Sequence, residues 1–416
     1  MRTTSSIAAL IAVLAGCSGG SESRSEVSTV RDSAGVSIVE VSAEGWASAP
    51  SWRLASTPVA VIGGEQDDGT VDLSNSQLGT MLPDGRVVAM SMQPVQLYLF
   101  APDGSLAGTL GRGGEGPGEY RFLTSLLVLG SDTIAGFDLM NRRALMFRPN
   151  GDVLDPVQFP MTASPVPPLL TGRLDDGSWV FQTMNPLQEP PEGTTGVYRL
   201  PAPVQSWREG MEAFDTVAMS LGPMLVQGTI SMGNNSMTMG RGIGYGSNSF
   251  VGGTRDLIWL TTGDRFVISG YDIEGNLKRE IRVGLPTRAV TQADRDRFIG
   301  VLREQLELAR GMAPAELIDA EIERLAETAF AENHAAIGQM MVDRLGRIWA
   351  TPNLPMVDST ATWGVFDNEG RLIGSVVIPA GTLYAASEDR VVVRIEDEET
   401  GLVRLEVLGL LRDESE

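Results

Sequence analysis

The sequence predicts an all-β fold, a six-bladed β-propeller with a helical-hairpin insertion. Three observations predict it. Turn motifs followed by β-forming runs recur along most of the 416 residues, at spacings typical of four-stranded propeller blades. The composition includes 48 Gly and 23 Pro, as expected for a chain with many tight turns. The β pattern is interrupted at residues 291–341 by two stretches of helical periodicity, which we assign to an insertion.

One short motif marks a turn between two strands of a blade. It consists of an aromatic residue, two further residues, an acidic residue or Asn followed by Gly, one variable residue, and Leu or Val. Its copies begin at Phe100, Phe147, Tyr271 and Phe366. Gly adopts the positive φ that a tight hairpin turn requires, and the preceding Asp or Asn supports the turn. The alternating apolar residues beside it, as in Gln96–Phe100, predict half-buried strands.

A second motif, a tight turn followed by a strongly β-forming run, sets the predicted number of blades. These turns lie at positions 85, 131, 177, 256, 346 and 389, which are separated by 46, 46, 79, 90 and 43 residues. Three of the steps match the roughly 40–50 residues of a four-stranded blade, and the two longer steps contain insertions. Six turns therefore predict six blades. The third, at about residues 169–210, lacks the aromatic motif and is expected to end in Val197–Leu200.

A ring of blades has to close, because an open ring leaves two sheet edges available for aggregation. The segments Gly35–Val41 and Pro58–Ile62 precede the first marked turn and have the composition of strands. We expect at least one of them to complete the last blade beside Leu402–Leu408. The predicted propeller then spans residues 33–410, followed by an acidic tail at residues 411–416.

One blade resembles a known repeat family. The stretch Gly111–Tyr120, followed by Asp138–Arg143 and Phe147, is similar to the NHL repeat, and this match is confined to residues 104–153. More broadly, residues 33–410 resemble bacterial six-bladed β-propeller lipoproteins, a family without an assigned function. The resemblance to NHL-like blades implies that the Asp-x-x-Asn-x-Arg run braces adjacent strands through hydrogen bonds.

Residues 291–341 carry the predicted helical hairpin. Thr291 and Asp294 form a capping-box pattern before a helix over residues 292–310, and Pro314 suits the first turn of a second helix. Apolar residues recur at helical spacing in both: Phe298, Leu302, Leu306 and Ala309 in the first, and Ile318, Ile322, Leu325 and Ala329 in the second. Such a hairpin packs against the side or rim of the propeller, caps one mouth of the ring, or docks a partner helix.

Residues Gly222–Gly253 form a second insertion, rich in Gly, Asn, Ser and Met. Its apolar residues follow neither the helical nor the strand period, so the sequence predicts a long mobile loop. Met side chains adapt to varied apolar surfaces. The alternative is therefore that the methionines of this loop line a binding mouth. These are Met224, Met232, Met237 and Met239.

The start of the chain has the pattern of a bacterial lipoprotein leader. A basic residue is followed by an apolar run too short to cross a bilayer, so residues 1–16 are predicted to be a signal peptide. Leu14–Cys17 resembles a lipobox, which implies cleavage before Cys17 and lipidation of that cysteine. Residues 17–32 are expected to form a flexible tether. Ser18 resembles the sorting signal of outer-membrane lipoproteins, so the expected location is the periplasmic cell envelope at the outer membrane.

The charge balance excludes one class of partner. The chain has 53 acidic and 32 basic side chains, which gives a formal net charge of −21. An anionic surface of this kind repels phosphate backbones. Nucleic acid is therefore not expected as a partner.

The sequence offers few candidates for catalysis. His334 is the one histidine and Cys17 the one cysteine, so zinc sites built from these residue types are excluded. His334 is expected to lie on the surface or to pack against a helix. The Gly-x-Gly-x-x-Gly match at Gly111–Gly116 precedes a strand pattern rather than a helix, which indicates a Gly-rich turn and not a dinucleotide site. No cofactor is predicted.

Charged and polar residues on turns near one blade junction form the candidate ligand-binding set. They are Arg112, Glu115, Glu119, Asp138, Asn141, Arg142 and Arg143. Arginine binds carboxylates and phosphates well, and loops on a rigid scaffold often carry binding groups. Within this set, Glu119, Asp138 and Asn141 are the candidates for a Ca²⁺ site, because calcium takes oxygen ligands. A structural hydrogen-bonding role is the alternative.

These observations predict a lipid-anchored binding or interaction module of the bacterial cell envelope, without a recognisable catalytic set. Its expected partners are the membrane, through the anchor at Cys17, and an envelope protein or a small-molecule ligand. The alternative is a Ca²⁺-dependent propeller hydrolase or lactonase, as a resemblance to six-bladed lactonases with an ion in the central channel implies.

Overall fold

The computed structural model describes most of the chain between residues 27 and 412. The described residues are 27–64, 71–73, 76, 78–92, 94–160, 168–183, 194–232, 235–308, 310, 315–354, 360–379, 381–397 and 401–412. The predicted signal peptide, Cys17 and the first part of the predicted tether lie outside the described residues, as do residues 413–416 of the predicted acidic tail.

The described residues are mostly β-strand. In chain order the strands are β1 (Thr29–Ser33), β2 (Val36–Val41), β3 (Ser51–Leu54), β4 (Ala60–Gly63), β5 (Gly79–Met81), β6 (Val87–Met92), β7 (Val95–Phe100), β8 (Leu106–Leu110), β9 (Arg112–Gly113), β10 (Glu119–Tyr120), β11 (Leu123–Leu129), β12 (Thr133–Asp138), β13 (Arg143–Phe147), β14 (Val153–Gln158), β15 (Leu169–Arg173), β16 (Trp179–Gln182), β17 (Pro201–Trp207), β18 (Asp215–Leu221), β19 (Leu225–Met232), β20 (Asn235–Gly242), β21 (Phe250–Thr254), β22 (Leu257–Thr261), β23 (Val267–Tyr271), β24 (Leu277–Val283), β25 (Gln339–Val342), β26 (Ile348–Thr351), β27 (Thr360–Phe366), β28 (Leu372–Pro379), β29 (Thr382–Ala386), β30 (Arg390–Glu396) and β31 (Val403–Arg412). The helices are α1 (Ala43–Ala47), α2 (Gln292–Leu308) and α3 (Ala315–Arg324), with a 3-10 helix at Leu325–Glu327.

The strands form a series of four-stranded antiparallel units that follow one another along the chain. Strands β5–β8, β11–β14, β15–β18, β21–β24 and β25–β28 each pair in sequence order, and β29–β31 begin a further unit. The marked turns of the sequence lie between the first and second strands of these units. The aromatic motif lies between the third and fourth strands where it occurs.

The last unit is completed by a strand from the beginning of the chain. Strand β4 pairs antiparallel with β31, with Ala60 opposite Val407. This confirms the prediction that one of the two early segments lies beside the last strand. The other segment forms β2 and pairs in parallel with β24, while β1 lies outside β2 and contains residues 29–32 of the predicted tether. The first part of the described chain therefore adds strands to more than one unit.

The first strand of each unit contributes to the wall of a central cavity of about 160 Å³. Strands β15 and β21 approach closely there, because Gly172 pairs in parallel with Gly253. A Cβ on Gly172 would lie 2.3 Å from the Gly253 carbonyl oxygen. Glycine is therefore required at this point, since any side chain would push the two strands apart.

Apolar side chains fill the spaces between neighbouring units. Between the units β5–β8 and β11–β14, the core includes Leu97, Tyr120 and Phe147, each almost completely buried. The Tyr120 hydroxyl donates to the Leu110 carbonyl at 3.0 Å and accepts from the Leu97 amide at 2.7 Å. Burial raises the pKa of Tyr120 to about 12. Each such buried side chain contributes about 1.5–3 kcal/mol through the hydrophobic effect.

The helical hairpin lies close to its predicted position. Helix α2 ends at Leu308 rather than at residue 310, and α3 passes into the 3-10 helix, so Ala329 lies beyond both. The predicted capping box is confirmed. The Thr291 amide donates to Asp294 Oδ2 at 2.9 Å, and the Asp294 amide donates to Thr291 Oγ1 at 3.2 Å. Residues 339–341, assigned to the insertion from sequence, belong to β25.

The prediction of a long loop over Gly222–Gly253 is wrong. Strands β19 and β20 form an antiparallel hairpin there, with Leu225 opposite Gly242 and Met232 opposite Asn235. A two-stranded hairpin satisfies its backbone hydrogen bonds by cross-strand pairing. It therefore does not need the apolar alternation that a strand buried on one face shows.

The third unit extends further than predicted. The sequence predicted that the unit ends with Val197–Leu200, at about residue 210. In the structure Val197–Leu200 precede β17, and β18 continues the unit to Leu221. The turn between β17 and β18 uses Gly210 at a φ of 92°. The Trp207 indole donates to the Met211 carbonyl at 2.9 Å across this turn. The sequence motif failed here because a different turn joins the two strands.

Candidate functional site

The predicted ligand-binding set lies at the junction of two units, where a loop connects β8 to β11. Within that loop β9 and β10 pair in parallel, so the Gly-rich stretch leads into a strand and not into a helix. The Glu119 carboxylate accepts hydrogen bonds from Arg112 Nε at 2.7 Å, the Gly116 amide at 2.8 Å and the Glu115 amide at 3.1 Å. The Gly116 and Arg112 hydrogen bonds lower the pKa of Glu119.

Asp138 holds the next turn in the same way. Its side chain, fully buried at the end of β12, accepts hydrogen bonds from the amides of Arg121 and Phe122 at 3.2 Å each. A third comes from Asn141 Nδ2 at 2.6 Å. Arg143 then reaches back across the junction, and its Nη2 donates to the Glu119 carbonyl at 2.7 Å. The adjacent Gly116 and Glu115 carbonyls accept from the same nitrogen.

The structure thus brings Arg112, Glu115, Glu119 and Arg143 together, with Asp138 and Asn141 supporting the neighbouring turn. Arg142 lies in that turn with a φ of 50°. The hydrogen bonds of this set brace the loop against the next unit. Ligand binding by these residues stays a prediction.

The described residues contain no group of three or more His, Cys, Asp or Glu side chains arranged to hold a metal ion. The oxygens of Glu119 and Asp138 already face hydrogen-bond donors from the backbone and from Arg112 and Asn141. A donor-lined carboxylate is suited to bracing a loop, whereas a calcium ion needs several oxygens directed at one point.

A second cavity, of about 390 Å³, is larger than the central cavity. It lies at the first residues of the inner strands, which are the first strands of the units. Phe250, Gln339 and Thr382, at the starts of β21, β25 and β29, contribute to it. The two insertions supply much of the rest of its wall, through segments next to the hairpin and through α2. The apolar side chains of the wall include Met224, Ile243, Tyr245, Phe250, Phe298 and Leu354. We call this space the capped cavity.

The two insertions are joined to each other at the capped cavity. The Gly244 amide donates to the Ala329 carbonyl at 2.8 Å, and the Ala331 amide donates to the Gly244 carbonyl at 3.0 Å. The ring of Tyr245 lies 5.3 Å from that of Phe298 on α2, measured between centroids. Because backbone and aromatic contacts link them, the hairpin base and the helical insertion form one continuous cap.

His334 lies where three segments of this cap meet. Its side chain is buried, and its ring centroid is 4.2 Å from that of Tyr245. Arg288 Nη2 lies 2.8 Å from Nδ1 and Asp294 Oδ2 lies 3.3 Å from Nε2. A guanidinium can only donate, so Nδ1 is the acceptor, and the proton of the neutral imidazole is on Nε2. The expectation that His334 is a packing residue agrees with this arrangement, although it also lines the cavity.

Asp294 links the capping box of α2 to His334. Burial raises the pKa of its carboxyl group, but hydrogen bonds from Thr291 and His334 outweigh burial and hold the pKa well below its ordinary value. The Asp294 backbone carbonyl also accepts a hydrogen bond from the Tyr245 hydroxyl at 3.0 Å. This one residue therefore connects the start of α2 to both neighbouring segments.

Sequence reasoning found part of this cavity. Met224 of the second insertion and Phe298 of the predicted apolar stripe both line the capped cavity, and ligand binding there stays a prediction. The contributions of Ile243, Tyr245 and Leu354 were missed. They come from segments distant in the chain, and no spacing rule connects them.

No described protein family and no curated protein matches the chain. Among solved structures, a member of the DUF4221 family from Bacteroides vulgatus is 9% identical, with 88% of this chain and 99% of that chain covered and a TM-score of 0.46. A protein from Bacteroides fragilis described as exported is 13% identical (91% and 100% covered, TM-score 0.42), and a Xanthomonas campestris gluconolactonase is 13% identical (80% and 85%, TM-score 0.38). These TM-scores lie below 0.5, so the likenesses say nothing of what this chain binds.

The described helices are not membrane spans, since none of them is both long and apolar enough to cross a bilayer.

Proposed function

We propose that this protein is a binding module whose capped cavity takes an uncharged, largely apolar small molecule. The observation that carries the proposal is the composition of the cavity wall. Among the described residues, no Asp, Glu, Lys or Arg lines it, although the full sequence has 85 charged side chains of these types, 53 acidic and 32 basic. Its volume of about 390 Å³ is within the roughly 300–1,000 Å³ of small-molecule sites.

The polar groups of the wall suit a neutral ligand. Asn248, Gln339 and Thr382 contribute amide and hydroxyl groups among the apolar side chains. Such groups fix the orientation of a ligand without requiring it to carry charge. A charged ligand would lose its hydration in the cavity without gaining an opposite charge, which costs free energy.

The scaffold for this site is a six-bladed β-propeller in our proposal, with the four-stranded units as its blades and the NHL-like blade formed by β11–β14. The support is that the first strands of the units share one cavity and that β4 completes the unit of β29–β31. Joining the two ends of the chain in one unit closes the ring and removes the exposed sheet edges.

We also propose that the module is anchored in the cell envelope, at the outer membrane, by lipidation of Cys17. The support is the leader pattern of residues 1–16 and the lone cysteine that follows it. A Cys17→Ala variant should move from the membrane fraction to the soluble fraction of fractionated cells. Ser21→Ala, which leaves the lipobox-like residues intact, should stay with the membrane. Membrane retention of Cys17→Ala would contradict the anchor.

Binding in the capped cavity can be tested with Nile red, an uncharged apolar fluorophore. Titration of the full-length protein should give saturable binding with blue-shifted emission. Met224→Lys places a charge in the cavity wall and should weaken binding at least tenfold. Met219→Lys is the matched control, because Met219 is 58% exposed on β18 and does not line the cavity. Equal affinity of Met224→Lys and the wild type, or equal losses in both variants, would contradict the proposal.

A further inference from the structure

The central cavity is lined by different kinds of side chain from the capped cavity and lies towards the opposite end of the inner strands. The capped cavity uses the first residues of the inner strands, such as Phe250 and Gln339. The central cavity uses later residues of the same strands, such as Gly253 and Met341. The two spaces therefore lie at different heights along the inner strands and can bind different ligands.

Two arginines line the central cavity, Arg173 at the end of β15 and Arg344 just after β25. Neither makes an ion pair within the described part of the chain, even though acidic side chains outnumber basic ones. The guanidinium of Arg173 lies 4.9 Å from the Trp179 ring centroid. Its Nε is buried and has no hydrogen-bond partner. A buried donor left without a partner is unfavourable, so an acceptor in this cavity would stabilise it.

The acidic residue of the cavity wall does not neutralise these two arginines. The Asp343 side chain is completely buried and accepts hydrogen bonds from Arg347 Nε at 2.7 Å and from Trp349 Nε1 at 3.0 Å. Arg347 therefore balances its charge. The cavity is left with two guanidiniums that can pair with an external anion.

The wall presents polar and apolar groups in similar amounts. Met81, Leu127, Leu129 and Met341 contribute to it. We propose that the central cavity binds a small organic carboxylate, with the carboxylate at Arg173 and Arg344 and a short apolar body along these side chains. Arginine forms paired, charge-assisted hydrogen bonds with carboxylates. Inorganic phosphate has the charge but lacks the apolar part, so it fits this wall less well.

Butyrate and its uncharged isostere butyramide test the proposal by ligand-observed NMR titration of the full-length protein. Butyrate should bind saturably and at least tenfold more tightly than butyramide, and more tightly than inorganic phosphate. Arg344→Gln should weaken butyrate binding at least tenfold. Because Arg344 is exposed, this variant should fold normally, whereas Arg173→Gln also loses the contact with Trp179.

Arg208→Gln is the matched control, since Arg208 pairs with Asp176 at 3.5 Å and does not line the cavity. It should bind butyrate like the wild type, as should Met224→Lys, which separates this site from the capped cavity. Equal binding of butyramide, tighter binding of phosphate than of butyrate, or unchanged binding in Arg344→Gln would overturn the proposal.

Discussion

Gly244 and Phe330 are in such close contact that a Cβ on Gly244 would lie 2.4 Å from the Phe330 ring. Gly244 belongs to the base of the β-hairpin insertion, and Phe330 lies in the helical insertion, after its last helical turn. The contact brings together two insertions separated in sequence by one complete unit, β21–β24. Phe330 packs in turn against Phe298 of α2, at 5.7 Å between ring centroids. The capped cavity exists because these insertions meet.

The first prediction follows from this contact. Gly244→Ala should lower the free energy of unfolding by about 1–3 kcal/mol, because the new methyl group has to displace the Phe330 ring. It should also weaken Nile red binding, since the cap shifts. Chemical denaturation and fluorescence titration measure the two effects. Gly242→Ala is the control for the stability measurement, because a Cβ there meets no atom within 4 Å. Equal stability of the two variants would show that the cap is not closely packed at Gly244.

The second prediction concerns Asp294. Asp294→Asn should destabilise the protein by about 1–2 kcal/mol at neutral pH, because it weakens the capping box and the contact with His334. The pKa of Asp294 is lowered in the folded state. Its carboxylate therefore contributes full stability above the unfolded pKa of about 3.9, and the contribution declines as the pH falls below that value.

Denaturation of the wild type and of Asp294→Asn, from about pH 3 to about pH 7, measures this contribution. This range includes the unfolded pKa of Asp. The difference between the two proteins should be constant from about pH 5 upward and should shrink below about pH 4. A difference that grows as the pH falls would contradict the assignment of Asp294 as the stabilising carboxylate.

The third prediction distinguishes a bracing role from a binding role for Asp138. Asp138→Ala should lower the free energy of unfolding by about 2–3 kcal/mol, because it leaves the backbone amides of Arg121 and Phe122 without their acceptor. Guanidinium denaturation measures the loss. Asp155→Ala, at an exposed position on β14, should change stability by less than about 0.5 kcal/mol. A folded, fully stable Asp138→Ala protein would instead favour a ligand-binding role.

The fourth prediction tests closure by β4. The Ile62 side chain is almost completely buried in the core with Leu405 and Val407 of β31. Ile62→Ala should therefore cost about 2–5 kcal/mol and lower the single melting transition of the whole protein. Val59→Ala is the control, at a position that is 47% exposed. A separate, early transition in Ile62→Ala, with the main transition unchanged, would show that β4 does not hold the unit of β29–β31 to the rest.

Local patterns in the sequence predicted local structure well. The aromatic motif places Gly104, Gly151, Gly275 and Gly370 at positive φ between paired strands, because the turn geometry depends on a few adjacent residues. The capping box of Thr291 and Asp294 is present for the same reason. The hairpin of β19 and β20 was missed, since its pairing does not produce the apolar alternation of a half-buried strand.

The candidate site was harder to predict. The residues from Arg112 to Arg143 were identified by their charge, but their hydrogen bonds to one another and to backbone amides became visible only when two units were placed side by side. The capped cavity depends on Met224, Phe298 and Leu354, which are far apart in the chain. The spacing of residues in the sequence does not show which distant residues come into contact.

The amino-acid sequence alone determined the β-rich class, the positions of the turns and the helical hairpin, because each depends on the conformational preferences of neighbouring residues. Only the tertiary structure decided which insertions meet, which arginines of the described residues pair with a carboxylate, and which strand completes the last unit. Those features arise from contacts between segments tens or hundreds of residues apart, and their energies depend on packing that a local pattern does not contain.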